Sequence, residues 1–155
     1  MKYMFLFLSL ATMSGCINYS NAESPFPESE FSELNQGYYT ENGEFTKKQT
    51  KVITNQADYN KELLNYTGSK PQSINFAIGK VLLLDMGQRN TGGNSIAVTS
   101  IDVNENHVTA NVVLVKPGEN CMVAQALTNP YQFVFVPTLK EILVSETLSI
   151  TECVE

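Results

Sequence analysis

Val81-Leu82-Leu83-Leu84 and the following Asn90-Thr91-Gly92-Gly93-Asn94-Ser95-Ile96 decide the fold of this chain. The first is an unbroken apolar run, as expected of a strand buried on both faces. The second carries two glycines and leads into the alternating Ile96-Ala97-Val98-Thr99. Glycine reaches positive φ without a Cβ clash, so glycines between two strand-like runs predict a tight β-connection. A hairpin with the 91–94 loop at its tip is therefore expected at the centre of the domain.

Working outward from the hairpin, helix and strand signals alternate with turns. A helix is predicted over 56–66, with Thr54 or Asn55 as N-cap, Asp58 in its first turn and Gly68 beyond its last. Tyr59, Leu63 and Tyr66 fall on one face of it and are expected in the core. On the N-terminal side, Gly37-Tyr38-Tyr39 starts a first strand and Asn42-Gly43 a hairpin turn, with a second strand over 45–54. Ile74, Phe76 and Ile78 alternate as a half-buried edge segment. After the glycine loop, 95–103 reads as a strand whose apolar parity switches between Val98 and Ile101, which predicts a bulge near Thr99-Ser100. His107 begins a central strand that runs to Lys116. Tyr131 to Val136 and Ile142 to Ile150 complete the set, with turns at Pro117-Gly118 and Asn129-Pro130. The expected fold class is α+β, mainly β: an antiparallel sheet or sandwich with one packed helix.

The ends of the chain carry different information. Lys2, an apolar stretch over 3–11, and Met13-Ser14-Gly15-Cys16 resemble a bacterial lipoprotein signal peptide, with Met13-Ser14-Gly15 as the lipobox. That resemblance implies cleavage before Cys16, lipidation of its thiol, and a membrane partner reached through the lipid anchor. The apolar stretch is shorter than the ~20 residues that span a bilayer. Residue 17 is Ile rather than the Asp linked with inner-membrane retention, which favours the outer membrane, facing the periplasm or the surface. Residues 17–36 are rich in Asn, Ser, Glu and Pro and read as a flexible tether, so the folded domain is expected over 37–155.

Two cysteines remain, Cys121 and Cys153. In an oxidising compartment they are expected to form a disulfide that pins the C-terminal tail beside Pro117-Gly118. The rival role for Cys121 is a reactive thiol, for which His107, the single histidine, is the available base. Asp85, late in the apolar strand, is either a catalytic carboxylate or the anchor of a neighbouring loop backbone.

The formal charge is −6 at pH 7, which disfavours nucleic acid. With one His and no carboxylate–His spacing, neither an activated nucleophile nor a metal-bound water is legible. Nor is there a phosphate-cradling or dinucleotide fingerprint. No catalytic residue, metal or cofactor is assigned.

The span 74–136 resembles the C-terminal domain of the PrcB family, lipoprotein subunits of a bacterial surface protease complex. The likeness rests on Val81-Leu82-Leu83-Leu84, Thr91-Gly92-Gly93-Asn94-Ser95-Ile96, Pro117-Gly118, and the run from Met122-Val123-Ala124-Gln125 through Asn129-Pro130-Tyr131. Where the family often has an aromatic after the second glycine, this chain has Asn94. The resemblance implies a non-catalytic module that binds a protein partner and stabilises a protease complex. Thr91, Gly92, Gly93, Asn94, Pro117, Gly118, Asn129, Pro130 and Tyr131 are the expected partner-binding residues, because turns on a rigid scaffold carry recognition. The alternative for these glycines and for Pro117 is turn formation alone, and for Tyr131 a place in the core. The Asn90-Thr91-Gly92 run also resembles, faintly, the Asn-Pro-Thr-Thr-Gly loop of chagasin-like cysteine protease inhibitors, here without the proline. Direct protease inhibition and a purely structural envelope role are the alternative functions.

Overall fold

The computed structural model describes residues 30–40 and 47–153. Seven strands and one helix follow in the order β1 (Ser32–Gly37), β2 (Gln49–Ile53), α1 (Gln56–Tyr66), β3 (Lys80–Asp85), β4 (Ser95–Val103), β5 (His107–Pro117), β6 (Tyr131–Val136) and β7 (Glu141–Thr151). They form two sheets. The first has the order β1-β6-β3-β2 and the second β4-β5-β7. The described residues are mainly β with a single helix, as the sequence predicts.

The Val81–Leu84 run occupies the interior of the first sheet, hydrogen-bonded to β2 on one side and β6 on the other. Side chains alternate across a strand, so its residues split between two cores. Leu82, Leu84 and Met86 pack against β4 and β5 through Ile96, Val98, Val112 and Leu114. Val81 and Leu83 face the other way, onto Tyr59, Leu63 and Tyr66 of α1 and Phe133 of β6. Each fully buried aliphatic side chain contributes on the order of 1.5–3 kcal/mol, so this strand carries much of the cohesion of both layers.

The helix has the expected bounds. Asn55 is its N-cap, with the side chain accepting the Asp58 amide at 2.9 Å. Thr67 ends it in extended backbone, one residue before Gly68. Tyr66 and Phe133 meet edge-on at 5.5 Å, and Tyr59 and Phe133 at 6.0 Å. The bulge predicted near Thr99-Ser100 is present as a register shift between Val98 and Ser100.

Five features differ from the sequence-based expectation. First, β3 and β4 do not form a hairpin. Both edges of β3 are taken by β2 and β6, so the chain must leave the sheet, and residues 86–94 cross to the second one. Gly87 and Gly93 flank this crossover with φ of 73° and 76°. Second, β7 runs parallel to β5 along eleven paired positions, so the second sheet is mixed. The chain reaches that arrangement by passing through β6 in the other sheet. Third, Ser32–Gly37 forms a strand inside the span read as tether. It is held as the edge partner of β6 by a ladder that any polar sequence can make. Fourth, β1 and β2 lie at opposite edges of their sheet and do not pair. The expected turn at 42–43 lies outside the described residues. Fifth, Ile74, Phe76 and Ile78 form no strand; Ile74 and Phe76 plug the α1 side of the core from a loop.

Candidate functional site: the strapped loop end

One end of the sandwich gathers most of the residues singled out above. The crossover 86–94 leaves β3 there, and residues 118–130 return across it from β5 to β6. The returning segment is a strap. Arg89 and Thr128 exchange backbone hydrogen bonds at 2.7 and 2.9 Å, and the Thr128 hydroxyl donates to the Thr91 carbonyl at 2.9 Å. Further along, the Gly92 amide donates to the Ala124 carbonyl at 2.9 Å. Asn94 is buried and seals the loop from inside, its amide donating to the carbonyls of Thr91 and Gly92 at 3.0 and 3.3 Å.

Gly93 is positioned by two independent demands. Its φ of 76° is a conformation that L side chains rarely adopt, and a Cβ there would lie 3.1 Å from Val123 and 3.5 Å from Pro117. Gly92 is less constrained, since its Cβ would make an ordinary 3.5 Å contact with Ala124.

The strap is fastened at both ends. At its start, Gly118 donates to the Thr151 carbonyl at 2.9 Å, and Cys121 is bonded to Cys153 with their Cα atoms 5.1 Å apart. The expected disulfide is thus present and ties the strap to the end of β7; Cys121 is not a free thiol. At its far end, Asn129 is wholly buried, with its amide side chain donating to Asp85 at 3.0 Å and its backbone N–H donating to the Tyr38 carbonyl at 2.7 Å. Asp85 also accepts from the Gly87 amide at 2.6 Å and from the Tyr66 hydroxyl. Its role is to anchor the loop backbone, one of the two readings its position allowed.

Residues 80–137 match the family model described as PrcB C-terminal. This span is similar to the PrcB C-terminal family. The match runs from β3 to the end of β6 and contains the crossover and the strap whole. No curated protein and no solved structure matches the chain.

Within the matched span, the expected partner-binding residues divide by exposure. Thr91, Gly92, Gly93, Pro117 and Gly118 come together at the strapped end and are at least partly accessible. Asn94, Asn129, Pro130 and Tyr131 are buried and make contacts within the domain. Pro130 accepts the Met86 amide at 2.9 Å. The Tyr131 ring packs at a 53° tilt against that of Tyr66, with centres 4.8 Å apart, and its hydroxyl donates to Asn35 at 3.1 Å. Turn-forming residue types suggested exposure for the Asn-Pro-Tyr corner, but Tyr131 packs beneath α1 and Asn129 is held by Asp85 and the Tyr38 carbonyl.

The strap contributes residues that sequence reasoning passed over. The Met122 side chain is completely exposed and Leu127 is 46% exposed. The sequence signal was present: two large apolar residues in a segment with no strand or helix periodicity. Cys16, the lipobox and the tether before residue 30 lie outside the described residues. Among the described residues, no helix is long and apolar enough to cross a membrane.

Proposed function

We propose that this chain is a lipid-anchored, non-catalytic lipoprotein of the bacterial cell envelope whose β domain binds a protein partner and stabilises a protease complex. The anchor is Cys16, through the lipobox resemblance. The observation that carries the binding role is the strapped loop end within the PrcB C-terminal match. A disulfide, a two-bond bridge at Arg89 and Thr128, and the Asp85 anchor make a rigid platform from surface loops. On it stand Met122 and Leu127, apolar side chains displayed to solvent. Rigid loops lose little entropy on association, and methionine adapts to irregular surfaces. Direct inhibition through the 91–94 loop gains no support from the geometry, because the strap lies against Gly92 instead of leaving it to project.

The test is co-purification from the native cells with the full chain and with Met122→Asp. Loss of a protease from the Met122→Asp preparation, with the circular dichroism spectrum unchanged, supports the reading. Equal recovery from both preparations rejects the strap as the contact.

A further inference from the structure

The two sheets present four edges, and three of them are guarded. β1 is six residues long and broken by a register shift between Glu33 and Asn35. β2 has five residues, carries Lys51 in an ion pair with Glu62, and runs into α1. β4 has its bulge, and its Val98 amide is capped by the Gln132 side chain at 2.9 Å. Bulges, short length and edge lysines are the usual means of preventing strand addition. β7 has none of them. It is eleven residues long, paired without interruption to β5 on one side, and unpaired on the other among the described residues. Its sequence, Glu141-Ile142-Leu143-Val144-Ser145-Glu146-Thr147-Leu148-Ser149-Ile150-Thr151, contains no Pro, Gly or Lys.

The side chains along this edge indicate what would pair with it. Opposed residues share a face, so Leu148 and Ile150 lie on the inner face with Leu114 and Lys116. They are nevertheless 53% and 57% exposed. Ile150 borders a shallow groove with Pro117, Gly118, Glu119, Asn120 and Glu152. From 95 to 153, six carboxylates stand against two lysines, and Glu146 already has Lys48 as partner.

We propose that the free edge of β7 accepts an extended polypeptide from a partner, added as a further strand, with apolar residues beside Leu148 and Ile150 and basic residues toward the acidic ends of the strand. Its apolar side chains would continue the inner face beyond Leu148 and Ile150, and its basic ones would lie at the two ends of the strand, near Glu141 at one and near Glu119 and Glu152 at the other. Backbone pairing supplies the affinity and the alternating side chains the selectivity. A second copy of this chain is the less suitable occupant, because its edge repeats the same acidic balance. The pairing edge borders the strapped loop end at Pro117 and Gly118, but Met122 and Leu127, which carry the proposed function, take no part in it.

The test uses the full chain in detergent and two labelled probes, a peptide of alternating lysine and valine and one of alternating glutamate and valine. The proposal expects the lysine peptide to bind at least about tenfold more tightly than the glutamate peptide, and to slow hydrogen exchange at amides within 141–151. Leu148→Lys, and separately Ser149→Lys, should weaken it by about tenfold or more, whereas Met122→Asp should leave it unchanged. Equal affinity for the two peptides, or binding without protection of the β7 amides, overturns the proposal. So does a concentration-dependent dimer that protects the same amides without peptide, which would make a second copy the occupant.

Discussion

The Asn129 side-chain amide donates to the Asp85 carboxylate at 3.0 Å, and both residues are completely buried. The bond joins the end of β3 to the last turn before β6, across 44 positions of sequence. It thereby fixes the far end of the strap to the most buried strand of the protein. Removing either partner leaves buried polar atoms unsatisfied. Asp85→Ala orphans three donors and should cost about 3–5 kcal/mol, and Asn129→Ala about 1–3 kcal/mol. In a double-mutant cycle by urea unfolding the two should couple by about 1 kcal/mol or more. Additive effects would show that the pair does not act as a unit.

Adjacent glycines in the crossover should respond differently to substitution. Gly93→Ala meets both a positive φ and the close approach of Val123, and should destabilise by about 1–3 kcal/mol. Gly92→Ala makes only van der Waals contact with Ala124 and should lie within about 1 kcal/mol of the parent. Thermal unfolding of the two variants side by side checks this. Equal losses would contradict the assigned backbone conformation.

The disulfide closes a loop with a sequence separation of 32. Loop-entropy arithmetic gives it on the order of 4 kcal/mol. Reduction should lower the unfolding midpoint, and it should speed hydrogen exchange at the Gly118 amide, which donates to Thr151 beside the bridge. Met86, whose amide donates to Pro130 in the buried interior, should keep its protection under conditions where the protein stays folded. Unaltered exchange at Gly118 would mean that the strand pairing alone holds the strap.

Alkaline pH provides a test of the α1 core. Burial of Tyr59 raises its phenol above the ordinary value of 10.0, against a smaller opposing hydrogen bond from Gln72. The neutral form is therefore favoured in the folded state. Its contribution is fully present below pH 10 and is lost as pH climbs through 10 toward the folded value, because the unfolded chain ionises first. Stability measured by urea unfolding should fall across that window. Tyr59→Phe should flatten part of the fall, and an unchanged slope in that variant would place the titration elsewhere.

Much of the fold is legible where one residue's neighbours decide its conformation. The apolar Val81–Leu84 run could only be buried on both faces, and the structure divides it between two cores. Asn55, Asp58 and the Tyr59-Leu63-Tyr66 stripe define a helix locally, and the parity switch after Val98 locates the bulge. Pairing between distant strands is not encoded that way. A glycine-bearing connection serves a hairpin and a sheet-to-sheet crossing equally well, and the choice depends on whether β6 occupies the edge of β3. Parallel pairing of β7 with β5 likewise depends on the chain's path through the other sheet. Ser32–Gly37 escapes notice because its sequence, Ser-Glu-Leu-Asn-Gln-Gly, is mostly polar, and its strand depends on distant β6 for the backbone ladder and for the core that Leu34 packs against. At the candidate site the glycines and the disulfide could be found from residue type. The burial of Asn129 and Tyr131 and the exposure of Met122 are properties of the assembled layers.

Site-specific photo-crosslinking from position 122 in the native cells reports on what the strapped loop end touches. A crosslinker there, in place of Met122, should capture a protease or a subunit of its complex, while the same group at the exposed Thr99 on β4 should not. Equal capture from both positions, or crosslinks from 122 to envelope scaffold proteins alone, would contradict the strapped loop end as a protease-complex contact.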